Sequence, residues 1–328
     1  MKVALITGIT GQDGSYLTEI LIKKGYRVVG AVRNTDSALD SLPSDVMKKI
    51  ELIRWDMLDQ ARMVEVLNHY QPSEFYNLAA YSSGEGMFDD AISIGDVNGL
   101  AVTRMLESVR QVDNSIRFCQ ASSSEMFGDA QESPQSEDTA FNPRSPYGAA
   151  KLYAHTMLSV YRQRYGLFAC SAILFNHESP RRNLDFVTRK ITHTAAKIKL
   201  GMANELRLGN LDARRDWGFA KDYAQGMWSM LQMSQADDYV LASGETHSVQ
   251  ELCECAFEHL DLDYRDYVSV DSASCRHDEK AQLVGDASKA RRELGWQPQL
   301  NIGELVHMMV DADIEMLASI QTNKLSKE

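Results

Sequence analysis

The stretch SPYGAAKLYAH sets Tyr147 four residues before Lys151, where the apolar spacing makes the start of a helix. Residues four apart share one helical face. An ammonium held near a phenol, helped by the positive charge of an oxidised cofactor, favours the phenolate and draws its pKa toward neutrality, so Tyr147 reads as a base for a hydroxyl proton, with Lys151 as its electrostatic partner. A second set lies upstream in QASSSEMFG. There Ser123 offers a hydroxyl able to hydrogen-bond a reacting hydroxyl together with Tyr147, and Glu125 offers a carboxylate able to act as a second acid or base. Taken singly these residues are commonplace: tyrosine and lysine four apart occur on solvated helices, serines cap turns and glutamates face water. The set acquires meaning only if the fold brings its members to one place.

The N-terminus, MKVALITGITGQDGSYL, indicates such a fold. Val3 to Ile6 is a continuous apolar run of the kind buried on both faces of a sheet, and Gln12 to Lys24 carries apolar residues at helical spacing. Gly8, Gly11 and Gly14 therefore fall on a strand-to-helix turn, where glycine permits positive φ and brings backbone N–H groups against a pyrophosphate at the helix N-terminus. The spacing is G-x-x-G-x-x-G, not the commoner G-x-G-x-x-G of dinucleotide sites, and glycines also serve turns and caps for backbone reasons alone. At the end of the second strand, VVGAVRNTD, Arg33 stands where an NAD-selective site places an acidic residue. A cation there suits the 2′-phosphate of NADP; Asn34 beside it leaves NAD open.

The elements that must position these residues follow from periodicity. Arg27 to Arg33, Ile50 to Trp55, Glu74 to Leu78, Ile116 to Ala121 and Ala169 to Phe175 are short apolar strand patterns. Helical patterns at Gln60 to Tyr70, Ala91 to Arg110 and Tyr147 to Tyr165 separate them. Alternation of this kind predicts an α/β, Rossmann-like doubly wound parallel sheet, with ligands at the C-terminal ends of its strands. Beyond Phe175 the rhythm breaks into a helical region from Arg181 to Leu200, a short LRLGN strand, a helix around Asp222 to Met233, the strand YVLAS and a terminal helix from Ile302 to about Ile320. The expected organisation is a dinucleotide-binding domain over residues 1–175. A smaller mixed α/β lobe over residues 176–328 is mainly substrate-binding and able to return strands to the main sheet.

The whole-chain balance narrows the function classes. A net charge of -12 over 328 residues argues against broad binding to nucleic acid or an anionic membrane surface. No run approaches the roughly 18 apolar residues of a membrane span, and no cleavable leader precedes the first strand, so a cytoplasmic protein is expected. The five cysteines, Cys119, Cys170, Cys253, Cys255 and Cys275, show no zinc-like spacing and read as reduced thiols. No metal site is expected.

GITGQDGSYL, YNLAA, SSSEMFG, SPYGAAK, LFNHESPRR with FVTRKIT, LGNLDARRDWGFAKDY and GDASKARRELGW together run nearly the length of the chain. In these stretches the sequence resembles the extended short-chain dehydrogenase/reductase superfamily and, within it, the GDP-mannose 4,6-dehydratases. The resemblance implies an NADP-dependent hydro-lyase acting on a GDP-linked sugar. In it Tyr147 and Lys151 serve the hydride chemistry, Glu125 the loss of water, and Ser123 keeps the hydroxyl of the family's usual threonine. It further implies cofactor contacts from Gly8, Gly11, Gln12, Asp13, Gly14, Arg33, Asp56, Leu78, Ala79, Ala80, Tyr147, Lys151, His177 and Arg182. Substrate contacts are implied for Ser83, Asn176, Arg181, Lys190, Arg207, Arg214, Arg276 and Glu279. The long helices Ala91 to Arg110 and Tyr147 to Tyr165 resemble the pair through which the superfamily dimerises, so a homodimer or homotetramer is expected. Ser83 and Gly84 replace the family's histidine and valine, and the smaller side chains suit a longer sugar such as GDP-manno-heptose as an alternative substrate. Epimerase, decarboxylase or reductase chemistry shares the glycine turn and the tyrosine-lysine pair, whereas Glu125 favours dehydration. A non-enzymatic dinucleotide sensor would need only the turn.

Overall fold

The computed structural model describes residues 1–35, 44–81, 88, 90–271 and 282–325. Strand and helix alternate through β1 (Val3–Thr7), α1 (Gln12–Lys23), β2 (Arg27–Val32), α2 (Ser44–Met47), β3 (Ile50–Arg54), α3 (Gln60–Tyr70) and β4 (Glu74–Asn77). A helical stretch follows in three pieces, α4 (Ala91–Ile94), a π-helical turn (Gly95–Leu100) and α5 (Ala101–Val112), where periodicity alone predicts one continuous helix. β5 (Arg117–Ser123), α6 (Pro146–Tyr165) and β6 (Ala169–Leu174) complete the alternation. The second half comprises β7 (Asn176–Glu178), α7 (Val187–Lys199), β8 (Leu206–Leu208), β9 (Arg214–Arg215), β10 (Trp217–Phe219), α8 (Ala220–Met230), β11 (Tyr239–Leu241), β12 (His247–Ser248), α9 (Val249–Glu258), β13 (Val268–Val270), α10 (Ser288–Leu294) and α11 (Ile302–Leu325).

Seven strands form one parallel sheet in the order β11-β6-β5-β4-β1-β2-β3, so β11 returns from the second half to an edge of the main sheet. Alternate residues of each strand feed opposite cores. Leu5, Val29, Phe75 and Phe118 pack with Met63 and Leu67 of α3, Met105 and Val109 of α5 and Leu158 of α6. Ala4, Ile6, Val28 and Tyr76 meet Leu17 and Leu21 of α1 and Ala224 and Met227 of α8 on the other face. Burial on both faces explains why the strands read as continuous apolar runs. The second half has its own core, in which Ile191 and Ala195 of α7, Leu252 and Phe257 of α9 and Val306 and Val310 of α11 come together. Among the described residues no helix is long and apolar enough to cross a membrane.

The strand order reverses at β1, whose neighbours are β2 on one side and β4 on the other. The crevice beyond the C-terminal ends of β1 and β4 is the switch point of the sheet, where open α/β folds hold ligands. Two glycines make its floor. Gly8 has φ of +69°, and a Cβ there would lie 2.8 Å from the Ala79 nitrogen; a Cβ on Gly14 would lie 2.3 Å from the Gly8 carbonyl oxygen. Backbone thus packs directly on backbone, and nothing at the far end of a flexible side chain can yield. Gly14→Ala is expected to destabilise the fold by about 3 kcal/mol as overpacking against rigid neighbours. Gly25→Ala, at φ of +80° with nothing within 4 Å, is expected to cost only about 1 kcal/mol from backbone strain. Denaturant melts of the two variants check the contrast.

Candidate active site

The sheet delivers the predicted residues to its C-terminal edge by separate routes. Thr7, Asn77 and Gln120 occupy one register row across β1, β4 and β5. Their side chains form a buried ladder: Thr7 Oγ1 donates to Asn77 Oδ1 at 2.6 Å, Asn77 Nδ2 to Gln120 Oε1 at 2.7 Å, and Gln120 Nε2 to the Ala121 carbonyl at 2.8 Å. The amides of Leu78 and Ala79 both donate to Thr7 Oγ1 at 3.2 Å, which fixes the path of Leu78, Ala79 and Ala80 beside the glycine turn. None of these three polar residues was singled out as a site residue from sequence. Their signal is polarity inside strands otherwise wholly apolar, since a buried amide is retained where it has partners.

α6 begins where it does because Ser145 accepts the Gly148 N–H at 3.0 Å and Pro146 occupies the first turn. Tyr147 and Lys151 then face the strand ends. Lys151, 3% exposed, donates from Nζ to the Ala121 carbonyl at 2.8 Å, and its nitrogen lies 5.6 Å from the centroid of the Tyr147 ring. Ser123 ends β5, and its Oγ accepts the Glu125 N–H at 3.2 Å. Glu125 sits on the single 3₁₀ turn that follows, and its carbonyl oxygen lies 2.5 Å from where a Cβ on Gly148 would be. The four candidate catalytic residues therefore converge, with glycine at position 148 permitting the helix to press against the turn that carries Glu125.

In the protein's own field burial pushes Tyr147 up to about 12, with a hydrogen bond to Ser123 opposing the rise, Glu125 and Asp13 adding to it and Arg182 opposing it. Burial pulls Lys151 down to about 8, against the attraction of Asp13. Desolvation dominates both residues.

The glycine turn fits a dinucleotide. α1 starts at Gly11 with no side chain capping its first amides, whereas α3, α6 and α9 are capped by Asp59, Ser145 and Ser248. Its uncapped amides and positive dipole end suit a pyrophosphate, as the close-packed Gly8 and Gly14 allow. Gln12 donates from Nε2 to the His177 carbonyl at 3.0 Å and accepts from Ser179 Oγ at 2.7 Å. Asp13 meets His177 Nε2 at 3.0 Å, and Arg182 stacks 3.5 Å over Phe186 with its Nε 3.3 Å from Glu178. Burial would raise Asp13, but the charge and hydrogen bond of His177, with Arg182, hold it below the usual carboxylate range. Burial would lower His177, but the Asp13 charge and hydrogen bond hold it above the ordinary imidazole value. Arg33 and Asp56 lie exposed beyond β2 and β3, at the far side of the same crevice.

The remaining candidates are dispersed. Asn176 opens β7. Arg181 is turned to the flank of α1, where its guanidinium bonds Ser15 Oγ at 3.0 Å, pairs with Glu19 at 2.5 Å and stacks 4.0 Å over Tyr16. Lys190 is exposed on α7, and Arg207 is exposed beside Glu205. Arg214 pairs with Glu251 at 2.7 Å and donates to the Thr246 carbonyl at 2.6 Å. Ser83, Arg276 and Glu279 lie outside the described residues, as do Gly84 and Cys275. Asp216, also not foreseen, is 1% exposed and accepts from the backbone of Ser243, Gly244 and Gly285 and from Ser243 Oγ, tying three segments beside β9. Among the described residues no cluster of three or more metal-ligating side chains occurs.

Known proteins place this arrangement. The family model described as GDP-mannose 4,6 dehydratase matches residues 5–309. The GDP-mannose 4,6 dehydratase of Cricetulus griseus is 46% identical over 343 aligned positions, covering 96% of this chain and 92% of the relative. The UDP-glucose 4-epimerase of Thermotoga maritima, solved with UDP-glucose, superposes with a TM-score of 0.85 at 20% identity over 96% of this chain and 99% of its own. RMD from Pseudomonas aeruginosa, solved with NADPH, gives 0.82 at 21% identity over 96% and 100%. The two structures share the fold, whereas the sequence match extends over the catalytic edge and the second lobe alike, and by it the chain belongs to the GDP-mannose 4,6-dehydratase family.

Proposed function

We propose that this protein converts GDP-mannose to the 4-keto-6-deoxy sugar nucleotide by eliminating water, with NADP as a recycled cofactor. The observation that carries the reading is the meeting of Tyr147, Lys151, Ser123 and Glu125 at the strand ends beside the uncapped glycine turn. Residues 1–175 hold the dinucleotide and residues 176–328 hold most of the sugar nucleotide, with Asn176 and Lys190 toward the sugar and Arg207 and Arg214 as charge-assisted partners for the diphosphate end. Gln12, Asp13, Gly11 and the backbone at Leu78 to Ala80 hold the cofactor.

Each residue type limits its own step. Tyr147 accepts the proton of the C4 hydroxyl, which Ser123 orients by hydrogen bond, and Lys151 stabilises the phenolate electrostatically. A nicotinamide dinucleotide, when bound, would supply the storage of hydride between C4 and C6, so the reaction has no net redox change. The 4-ketone acidifies the C5 hydrogen, and Glu125 removes that proton. The same carboxyl then protonates the departing C6 hydroxyl, which leaves as water, and C5 is reprotonated as C6 gains its new hydrogen. Turnover of GDP-mannose by the wild type is expected to yield a nucleotide sugar lighter by one water; unchanged mass or loss of carbon dioxide would sink the dehydratase reading. With Glu125→Gln, reduced-nicotinamide absorbance is expected to rise while product falls by roughly 100-fold or more. Full product yield from that variant would move the elimination to another group.

The preference for NADP rests on Arg33, exposed at the end of β2 with no acidic residue in its place. Arg33→Ala is expected to weaken NADP binding about tenfold, the scale of one charge-assisted phosphate contact, and to leave NAD binding unchanged. Equal losses for both cofactors, read by fluorescence titration, would refute the assignment.

We further propose a homodimer, or a tetramer built from it, through α4, α5 and α6. Ile92, Leu100, Tyr153, Val160 and Tyr165 are large apolar side chains exposed along these helices, a density that marks an association face. Light scattering at micromolar concentration is expected to give at least twice the 36.8 kDa chain mass, and a monomer there would overturn the assembly.

A further inference from the structure

His177 makes two contacts that constrain its charge. Its Nδ1 lies 2.7 Å from the Phe175 carbonyl oxygen and its Nε2 3.0 Å from Asp13 Oδ2. A carbonyl oxygen and a carboxylate only accept, so both ring nitrogens must carry hydrogen. A ring with two N–H groups is an imidazolium. It is 9% exposed and stacks on Tyr223 with centroids 4.6 Å apart and planes 26° apart, an arrangement in which an aromatic face meets a cation. We propose that His177 is a charged positioning residue, an ionic joint that fastens the start of α1 to β7 and neutralises Asp13 beside the pyrophosphate-binding turn.

The joint has mechanical and electrostatic parts. Mechanically, Gln12 and Asp13 both reach the same residue of β7, one at its backbone carbonyl and one at its ring, and Ser179 closes the contact on Gln12. Electrostatically, the groups facing His177 are Asp13 from α1, Arg182 and its partner Glu178 from the segment of β7 and beyond, and Tyr223 from α8; Tyr147 and Lys151 of α6 share the field of Asp13. If His177 lost its proton while Nδ1 stayed on the Phe175 carbonyl, Nε2 would present a lone pair to a carboxylate. Asp13 would then be an unpaired negative charge at the helix end that must accept a pyrophosphate. The Asp13 charge and hydrogen bond hold the ring's proton above the ordinary imidazole range, so the joint opens as pH rises through the raised value.

The test uses the full chain labelled with ¹⁵N-histidine, the His177 signals being assigned by their loss in His177→Asn. At pH 7.5 the His177 nitrogens are expected to show imidazolium shifts, and in Asp13→Asn the ring is expected to titrate at least tenfold more easily. A second measurement is the Kd for NADPH by fluorescence between pH 6.5 and 9. Wild-type affinity is expected to fall through the His177 titration, while His177→Asn binds at least about tenfold more weakly and lacks that step. Any step from Lys151 remains in both proteins. A neutral His177 ring in the wild type at pH 7.5 overturns the proposal. So does unchanged NADPH affinity in His177→Asn, or in Asp13→Asn should the histidine variant fail to fold. The affinity measurement rests on the dinucleotide reading of the turn and the resonance measurement does not, so a protein that failed to dehydrate GDP-mannose would still answer it.

Discussion

Two stretches of backbone touch with no room for a Cβ between them, at Gly8 against Ala79 and at Gly14 against Gly8, and the rest of the active site is arranged around that contact. It lets α1 start immediately above β1, so that the first amides of the helix open onto the switch point of the sheet. It also brings the segment after β4 alongside the turn, where Thr7 holds the Leu78 and Ala79 amides and anchors the ladder that runs through Asn77 to Gln120. The ladder ends on Ala121, whose carbonyl is also the acceptor for Lys151. A chain of short hydrogen bonds therefore connects the dinucleotide turn to the lysine of the catalytic helix. From Thr7 Oγ1 to Lys151 each link is buried, and each would leave an unsatisfied polar group if a neighbour moved away.

Catalysis in this site has to work against desolvation. The same burial that sets Lys151 and Tyr147 close together disfavours charge on both, and it is the larger influence on each. Asp13, His177, Arg182 and Glu178 form an alternating set of charges at the mouth of the bay, and there mutual attraction outweighs burial for Asp13 and His177. Burial shifts Tyr147 and Lys151 toward their neutral forms, whereas attraction shifts Asp13 and His177 toward their charged ones.

Legibility from sequence followed the range of the forces involved. The parallel sheet and the helices over it were readable because burial on both faces leaves continuous apolar runs, and a strand-turn-helix with three glycines has few other uses. The proximity of Tyr147 to Lys151 was readable because both lie on α6, and that of Ser123 to Glu125 because they stand two positions apart where β5 ends. The π-helical turn at Gly95–Leu100 was not, since an extra residue in a turn does not alter apolar spacing enough to show; Asn98 within it holds the Tyr81 backbone through both ends of its amide. Arg181, expected to contact substrate, bonds Ser15 and Glu19 of α1 in this structure, a contact not legible in sequence because an arginine reports its charge there but not the direction of a long side chain. Asp216 collects donors from the adjacent Ser243 and Gly244 and from Gly285, all distant from it along the chain, and no local pattern reveals such a convergence. In the second half LRLGN and YVLAS were readable as β8 and β11, whereas β9, β10 and β12, two or three residues each, fall below the length at which alternation can be recognised.

The close approach of Gly148 to the Glu125 carbonyl has a consequence for how the reaction proceeds in time. Tyr147 and Glu125 belong to different elements, yet the contact beside them is as tight as the contact within a helix, and Pro143 closes on Gly148 from another side. The phenol and the carboxylate are thus carried on two elements whose backbones pack directly on each other. In the proposed reaction C4, C5 and C6 react in turn, and this packing opposes any separation of the helix that carries Tyr147 from the turn that carries Glu125 between one step and the next.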